Sequence, residues 1–182
     1  KIRGKTLLDW QLNAFRQAEI SEIAIVTGYK RQLLSNRGLQ EFHNDQWAAT
    51  NMVSSLACAG AWLVQDPCIV SYSDIFYDAE AVRLLKESAA PLAITYDPNW
   101  LSLWARRFDN PLADAETFRL NRDNSLAEIG KKTSSVENIQ GQYMGLLRFE
   151  PEGWLELLRI CDALNPHELN QLQMTWALQK II

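Results

Sequence analysis

Apolar and polar residues alternate along the first half of the chain with two different periods. Residues 6–18 place leucines and a phenylalanine at helical spacing, and Thr6 and Asp9 at the start of this stretch fit a capping arrangement. Apolar runs of strand length occur at 23–26, 41–43, 68–72 and 92–96. Helical patterns lie between them at 30–37, 51–64 and 79–87. Because strands that alternate with helices build layered sheets, the pattern predicts an α/β fold, a Rossmann-like three-layer αβα sandwich around a mostly parallel mixed sheet.

The second half of the chain has a different pattern, with more turn signals. Residues 97–107 are aromatic and loop-like, with a single helical turn. The alternating runs 116–120 and 125–129 flank a strong turn signal, which predicts a β-hairpin. The other predicted elements are a strand at 142–149 and helices at 151–164 and 169–182. We therefore expect a single domain over residues 1–182, with a small β-hairpin elaboration.

The composition is that of an ordinary globular chain with one core. Its 182 residues are 47% hydrophobic and 22% charged, and the net charge of −4 without a dense basic face excludes nucleic acid as the main partner. Cys58, Cys68 and Cys161 are widely spaced in apolar surroundings, which is typical of thiols in a reducing, cytoplasmic compartment. His43 and His167 have no ligand-spaced neighbours, so no zinc site is expected. No apolar run reaches the length of a membrane span, so no membrane partner is expected.

Both ends of the chain resemble cuts through a longer domain. Lys1 stands directly before a predicted helix without an initiator Met, and residues 179–182 lie inside an apolar helical pattern without a stop signal. We expect the domain to be truncated at both ends.

A polar dipeptide, Ser73-Asp74, ends the most strand-like run of the chain. Residues 68–72 are predicted to form a buried strand between helices, and parallel sheets bind ligands beyond the carboxyl ends of their strands. A carboxylate at that edge suits Mg²⁺, which prefers oxygen ligands and accompanies phosphates. The alternative is that Asp74 only caps the following helix, and for an isolated Ser-Asp pair this is the commoner case.

Six segments of the chain carry a family pattern in a fixed order. They are 4–12, 23–29, 44–56, 73–74, 128–132 and 142–149. This ordered set resembles the nucleotidyltransferases that make nucleotide-diphospho compounds, in particular the phosphocholine cytidylyltransferases and the sugar-1-phosphate nucleotidyltransferases. The resemblance implies a Mg²⁺-dependent reaction in which a phosphate monoester attacks the α-phosphorus of an NTP and pyrophosphate leaves. CTP and phosphocholine are the substrates that it favours, and a homodimer is one assembly that stays open.

The resemblance also implies which residues hold the nucleotide and the metal. Asp74 matches the metal-binding Asp of the family. The residues implied for the nucleotide are Thr50, Asn51, Ser54, Ser55 and Ser73. Asn51 offers both donors and acceptors, which suits the edge of a pyrimidine, and Ser54 or Ser55 would assist it. The alternative is an N-cap at Thr50 or Asn51, and both roles are compatible because a helix N-terminus also suits an anion.

Aromatic residues of the second half suggest how an acceptor with a quaternary ammonium is held. Such a group is commonly bound in an aromatic cage, through cation–π attraction worth up to about 2 kcal/mol. The predicted cage consists of Tyr96, Trp100, Trp104 and Tyr143, with Asp97 as a counter-charge. The alternative is that the indoles fill the core and that Asp97 caps a turn.

Lys131 and Lys132 lie where the family carries a lysine near the acceptor phosphate, and Lys131 is the predicted catalytic cation. The alternative is a solvated pair of lysines after a hairpin.

Three parts of the family pattern have no counterpart within residues 1–182: the N-terminal strand, the glycine-rich loop with its Arg and Lys, and a second metal-binding Asp. Residues 1–182 alone are therefore expected to be inactive, and the predicted activity is that of the parent protein.

Two other functions stay open. An enzyme of the same architecture would use a sugar-1-phosphate or an aminoalkylphosphonate as acceptor, where a pocket of Asp, Glu and Asn favours a sugar and clustered indoles favour an ammonium. A non-catalytic nucleotide-binding or regulatory module would keep the fold without the signature loop. Asp74 and Asn51 weigh against that second alternative.

Overall fold

Strands and helices alternate through the part of the chain that this computed structural model describes, residues 1–34 and 37–182. The strands are β1 Ala24–Thr27, β2 Gln40–His43, β3 Cys68–Ser71, β4 Leu92–Asp97, β5 Phe118–Leu120, β6 Leu126–Ile129 and β7 Gln142–Phe149. The helices are α1 Leu7–Gln17, α2 Met52–Ala57, α3 Gly60–Leu63, α4 Ala79–Lys86, α5 Trp100–Arg107, α6 Pro151–Asp162, α7 Pro166–Asn170 and α8 Met174–Ile181. None of the helices in these two ranges is long and apolar enough to cross a bilayer.

The strands form three small sheets, and the prediction of a mostly parallel sheet is wrong. Strands β1 and β2 pair in parallel, but β7 lies between β3 and β4 and is antiparallel to both. The predicted hairpin is confirmed as the antiparallel pair of β5 and β6. The direction of β7 was not readable because a strand buried on both faces has the same continuous apolar pattern in either direction.

Helices cover both faces of the three-stranded sheet. Neighbouring residues of β7 show this, because Leu146 packs with α1 and α4 while Leu147 packs with α6. Both leucines are fully buried, as successive side chains of a strand point to opposite faces. The α/β class is therefore confirmed, and the core lies on both sides of β7.

The predicted capping arrangement of α1 is confirmed. The Thr6 hydroxyl accepts a hydrogen bond from the backbone N–H of Asp9 at 3.1 Å, and the Asp9 carboxylate accepts one from the N–H of Thr6 at 3.0 Å. Arg37 adds an ion pair to Asp9 at 2.7 Å. The Thr6 hydrogen bonds, with Arg37 as a further cause, lower the pKa of Asp9 from 3.8 to about 2.

The capping carboxylate of Asp9 is expected to make stability depend on pH at the acid end. Because its pKa is lower in the folded state, its contribution is fully present above pH 3.8 and is lost as the pH falls towards about 2. Asp9→Asn should therefore be less stable than the wild type near neutral pH and should match it near pH 2. Urea midpoints across this range measure the effect, and equal pH slopes for the two proteins would contradict it.

Several predicted helices have different bounds in the structure. The helix predicted at 51–64 is divided into α2 and α3, and the one predicted at 169–182 is divided into α7 and α8. The loop predicted at 97–107 is wrong, since α5 occupies most of it. The helix or turn predicted at 30–37 contains a short 3₁₀ helix, Arg31–Leu33, and its residues Ser35 and Asn36 lie outside the described residues.

Candidate active site

One edge of the three-stranded sheet gathers the polar ends of its strands. The predicted strand at 68–72 is confirmed as β3, and Ser73 and Asp74 follow it at this edge. Because β7 is antiparallel to β4, its first residues lie at the same edge, with Gln142 opposite Asp97 and Tyr143 opposite Tyr96. The sheet therefore brings Asp74, Asp97 and Tyr143 to one end of the molecule.

The carboxylate of Asp74 is exposed to solvent at this edge. Within residues 1–34 and 37–182 its side chain makes no hydrogen bond or ion pair with the protein. The alternative that Asp74 caps the next helix is wrong, because Asp78 caps α4 by accepting hydrogen bonds from Glu80 and Ala81. Asp74 thus presents a carboxylate without a protein partner among the described residues, just after the carboxyl end of β3.

Tyr72 connects three elements beside Asp74. Its backbone N–H donates to the carbonyl of Gly145 in β7 at 2.9 Å, and its hydroxyl lies 2.6 Å from the sulfur of Met52 in α2. The ring packs edge-on against Tyr143 at 5.9 Å. Gly145 has a φ of +76°, and a Cβ there would lie 2.7 Å from the Tyr72 ring, so a glycine is required for this contact.

The two phenols stay neutral in this environment. Burial is the main cause that raises the pKa of Tyr72 to about 12, and the nearby carboxylates of Asp74 and Glu116 contribute to the same rise. Burial likewise raises the pKa of Tyr143, with the neighbouring phenol of Tyr72 as a further cause. Asp74 and Glu116 thus act on the same phenol from two parts of the chain.

The start of α2 lies next to this group through Met52. Asn51 is the N-cap of α2, and its side-chain oxygen accepts a hydrogen bond from the N–H of Met52 at 2.7 Å. Asn51 is therefore an N-cap, as one of the two predicted roles has it. The amide nitrogen of the Asn51 side chain donates to the carbonyl of Gln171 at 3.4 Å. Helix α2 has only six residues, so its N-terminus alone does not make an anion site.

A buried asparagine that the sequence analysis did not select organises two of the predicted nucleotide residues. The side chain of Asn44, directly after β2, donates to the hydroxyls of Thr50 at 2.9 Å and Ser55 at 3.0 Å. Ser54 is half-buried on α2, and Ser73 is exposed after β3. The sequence signal that could have identified Asn44 is its position, since it is a polar residue at the end of a predicted strand.

The structure does not assemble the four predicted cage residues. Trp100 is only 3% exposed and its indole N–H donates to the carbonyl of Ile139 at 3.1 Å, so the core-packing alternative describes it. Trp104 packs edge-on against Trp100 at 6.2 Å and donates to Asp114 at 3.1 Å. Among the described residues, no ring contact joins either indole to Tyr96 or Tyr143.

The remaining predicted acceptor residues have local partners. Tyr96 stacks on Phe118 of the hairpin, with ring centroids 4.9 Å apart. Asp97 accepts a hydrogen bond from the N–H of Asn99 at 2.8 Å, as the turn-capping alternative has it. The ammonium of Lys131 is exposed and lies 3.7 Å from Glu128 of its own hairpin. The role of Lys131 in catalysis stays a prediction.

Comparison with known proteins gives the family of the chain. The MobA-like NTP transferase domain matches residues 1–132. The CTP:phosphoglutamine cytidylyltransferase of Campylobacter jejuni is 33% identical over 175 residues, which cover 91% of this chain and 69% of that protein.

Two solved structures share the fold. The inositol-1-phosphate CTP transferase from T. maritima superposes with a TM-score of 0.70 at 13% identity, over 99% of this chain and 69% of that one. A putative glucose-1-phosphate thymidylyltransferase from Bacillus anthracis, solved with sucrose, gives a TM-score of 0.66 at 15% identity, over 96% of this chain and 70% of that one. The domain match takes in most of the chain, and its relatives are transferases of the same kind, so the chain belongs to the nucleotidyltransferase family of MobA-like NTP transferase domains.

Proposed function

We propose that the protein to which this chain belongs transfers a nucleotidyl group from CTP to a small phosphorylated acceptor and releases pyrophosphate. The observation that carries the proposal is the free carboxylate of Asp74 at the carboxyl end of β3, beside Tyr72 and the start of α2. The family membership supports the reaction class, and the similarity to a CTP-dependent relative supports the nucleotide.

The reaction forms one bond and breaks one. An oxygen of the acceptor phosphate attacks the α-phosphorus of CTP, and the bond from that phosphorus to the oxygen bridging the β-phosphate breaks. Negative charge grows on the phosphate oxygens during this displacement, so catalysis depends on positioned cations and hydrogen-bond donors.

The residues at the sheet edge fit a magnesium ion that is shared with the substrate. Mg²⁺ keeps several waters and binds through one or two carboxylates together with substrate phosphates. Within the described ranges no cluster of three or more metal-ligating side chains exists, which suits such an open site better than an all-protein cage. Asp74 would hold the ion, which supplies positive charge at the phosphates when bound.

The nucleoside is proposed to lie at the start of α2. Thr50 and Ser55 are fixed by the buried Asn44, and Asn51 caps the start of the helix with its side chain. Met52 contacts Tyr72, so this segment lies within one side chain of the β3 edge. The proposal therefore places the base at α2 and the phosphates at Asp74.

The acceptor is proposed to carry a cationic nitrogen. Phosphocholine, which the sequence favours, and the phosphoglutamine in the name of the relative both contain one. Besides Asp74, which is assigned to the metal, Glu116 acts on the phenol of Tyr72 and Asp97 ends the neighbouring strand, so this edge carries further negative charge. Carboxylates and aromatic faces together suit an ammonium group.

Trp104→Ala tests whether the indole of α5 contributes to acceptor binding. If it does, KM for phosphocholine should rise by up to about tenfold, while KM for CTP changes little, because only the acceptor carries the ammonium. Leu103→Ala, which removes a more exposed apolar side chain from the same helix, is the control. Equal effects of Trp104→Ala on both substrates would indicate lost packing instead.

The function is tested by following pyrophosphate release from the complete protein with Mg²⁺. Each of the NTPs is offered with phosphocholine, phosphoglutamine, 2-aminoethylphosphonate, glucose-1-phosphate or inositol-1-phosphate. Release with CTP and an acceptor that carries a cationic nitrogen supports the proposal. Release only with a sugar or inositol phosphate would keep the reaction but assign the other acceptor class, which the fold similarity favours. No release with any pair would favour the non-catalytic module.

A further inference from the structure

A buried glutamine of α1 contacts the turn that carries Asp74. Gln11 is only 5% exposed and lies on the buried face of α1 together with Leu12 and Phe15. Burial of a primary amide among apolar side chains costs free energy unless its N–H groups are hydrogen-bonded. The amide of Gln11 therefore needs partners, and the turn after β3 supplies them.

The amide nitrogen of Gln11 bonds to the carbonyls on either side of Ser73 and Asp74. It lies 2.9 Å from the carbonyl oxygen of Tyr72 and 2.7 Å from that of Ile75. The two residues between these carbonyls form a turn, and we call residues 72–75 the Asp74 turn. One side chain thus holds the main chain at both ends of this turn.

The two carbonyls depend on Gln11 to different degrees. The carbonyl of Tyr72 also accepts a hydrogen bond from the hydroxyl of Ser71 at 2.9 Å. Within residues 1–34 and 37–182, no second donor bonds to the carbonyl of Ile75. Loss of the Gln11 amide would therefore release the end of the turn that follows Asp74.

Aromatic contacts on both sides of Gln11 hold α1 against the same segment. Trp10 packs edge-on against Phe76, with ring centroids 5.6 Å apart, and Phe15 packs edge-on against Tyr77 at 6.1 Å. These contacts do not involve the amide. A substitution that keeps the volume of Gln11 should therefore leave α1 in place and remove only the two hydrogen bonds.

We propose that Gln11 is a positioning residue for Asp74, the proposed ligand of Mg²⁺. It holds the Asp74 turn in one conformation before the metal binds, so that binding does not have to order the main chain that carries the carboxylate. Groups that orient a metal ligand typically contribute roughly 10–100-fold to metal affinity or activity. This inference rests on the proposed function, because it takes Asp74 as the metal ligand.

The alternative is that Gln11 only satisfies two carbonyls and joins α1 to the end of β3. Both roles predict a less stable protein when the amide is removed, so stability alone does not separate them. They differ in the mobility of the Asp74 turn and in the response of the enzyme to Mg²⁺.

Gln11→Met in the complete protein tests the proposal, with Gln17→Met as the matched control. Methionine is similar in length to glutamine and has no N–H donor, and Gln17 is an exposed residue of the same helix. We expect Gln11→Met to raise the Mg²⁺ concentration that half-saturates pyrophosphate release by roughly 10–100-fold. The KM for the acceptor at saturating Mg²⁺ should change little, and Gln17→Met should change neither quantity.

A second readout requires neither metal nor turnover. In the metal-free protein, the backbone ¹⁵N order parameters of Ser73 and Asp74 should be near about 0.85 in the wild type and in Gln17→Met. In Gln11→Met they should fall below about 0.6. If the methionine variant does not fold, Gln11→His, which keeps one ring N–H donor, should show a smaller change in the same direction.

Unchanged order parameters in Gln11→Met, or an unchanged response to Mg²⁺, would overturn the proposal and leave Gln11 a purely structural residue. A double substitution adds a further test. If Gln11 acts through Asp74, adding Gln11→Met to Asp74→Asn should lower the rate by less than about twofold more, and a larger loss would contradict the proposal.

The same assays separate a failure of this inference from a failure of the proposed function. Normal turnover in Asp74→Asn would refute the metal role of Asp74 and, with it, that of Gln11. A reduced rate in Asp74→Asn together with a normal Mg²⁺ response in Gln11→Met would refute the role of Gln11 alone.

Discussion

Asp74→Asn is expected to lower the rate of pyrophosphate release by the complete protein at least about a hundredfold and to leave its fold unchanged. The side chain is exposed and makes no hydrogen bond or ion pair within the described parts of the chain, so the substitution removes no contact that stabilises the fold. An amide is a much weaker ligand of Mg²⁺ than a carboxylate, so the loss should appear in the rate and in the Mg²⁺ concentration that half-saturates it.

The matched control is Asp66→Asn, at the opposite end of the same strand. Asp66 precedes β3 and is also exposed, but it lies at the amino end, away from the predicted metal. Initial rates over a Mg²⁺ titration, together with circular dichroism and thermal unfolding of both variants, separate catalysis from stability. Near-normal turnover in Asp74→Asn, or an equal loss in Asp66→Asn, would refute the role of Asp74.

The local signals around β3 were readable from the sequence. An apolar, β-branched run that stops at Ser73 and Asp74 predicts both a strand and the position of a carboxylate at its end. The capping pair of α1 was readable for the same reason, since Thr6 and Asp9 are close in sequence and satisfy each other. Such features depend on residues a few positions apart.

The features that the sequence did not show depend on distant partners. Trp100 was predicted for the acceptor site, but a carbonyl of Ile139, far along the chain, accepts its indole N–H in the core. The side chain of Tyr72 is held by contacts with Met52 and with the glycine at position 145. Both partners are distant in sequence, so no local pattern predicts these contacts. The antiparallel direction of β7 is likewise a tertiary result.

Trp154→Ala is expected to have the largest effect on stability, lowering the free energy of unfolding by about 3–5 kcal/mol. Trp154 is 1% exposed and packs edge-on against Phe149 at 5.8 Å, where α6 covers the sheet. Its substitution leaves a cavity in the larger core cluster, which the surrounding helices fill only in part. Because a domain of this kind has about 5–15 kcal/mol of stability in total, the variant should lose a large share of it.

Trp176→Ala is the control for this substitution because it removes the same side chain from an exposed position. Trp176 is 42% exposed, and its ring contacts the ammonium of Lys180 at 5.0 Å, so its loss should cost about 1 kcal/mol or less. Trp154→Phe refines the comparison. The indole N–H of Trp154 has no partner among the described residues, so phenylalanine keeps most of the apolar contact and removes an unpaired buried donor. In urea unfolding, Trp176→Ala should be the most stable of the three variants, Trp154→Phe the next and Trp154→Ala the least stable. Equal losses of stability for the two alanine variants would show that the contacts of α6 with the sheet do not dominate the core.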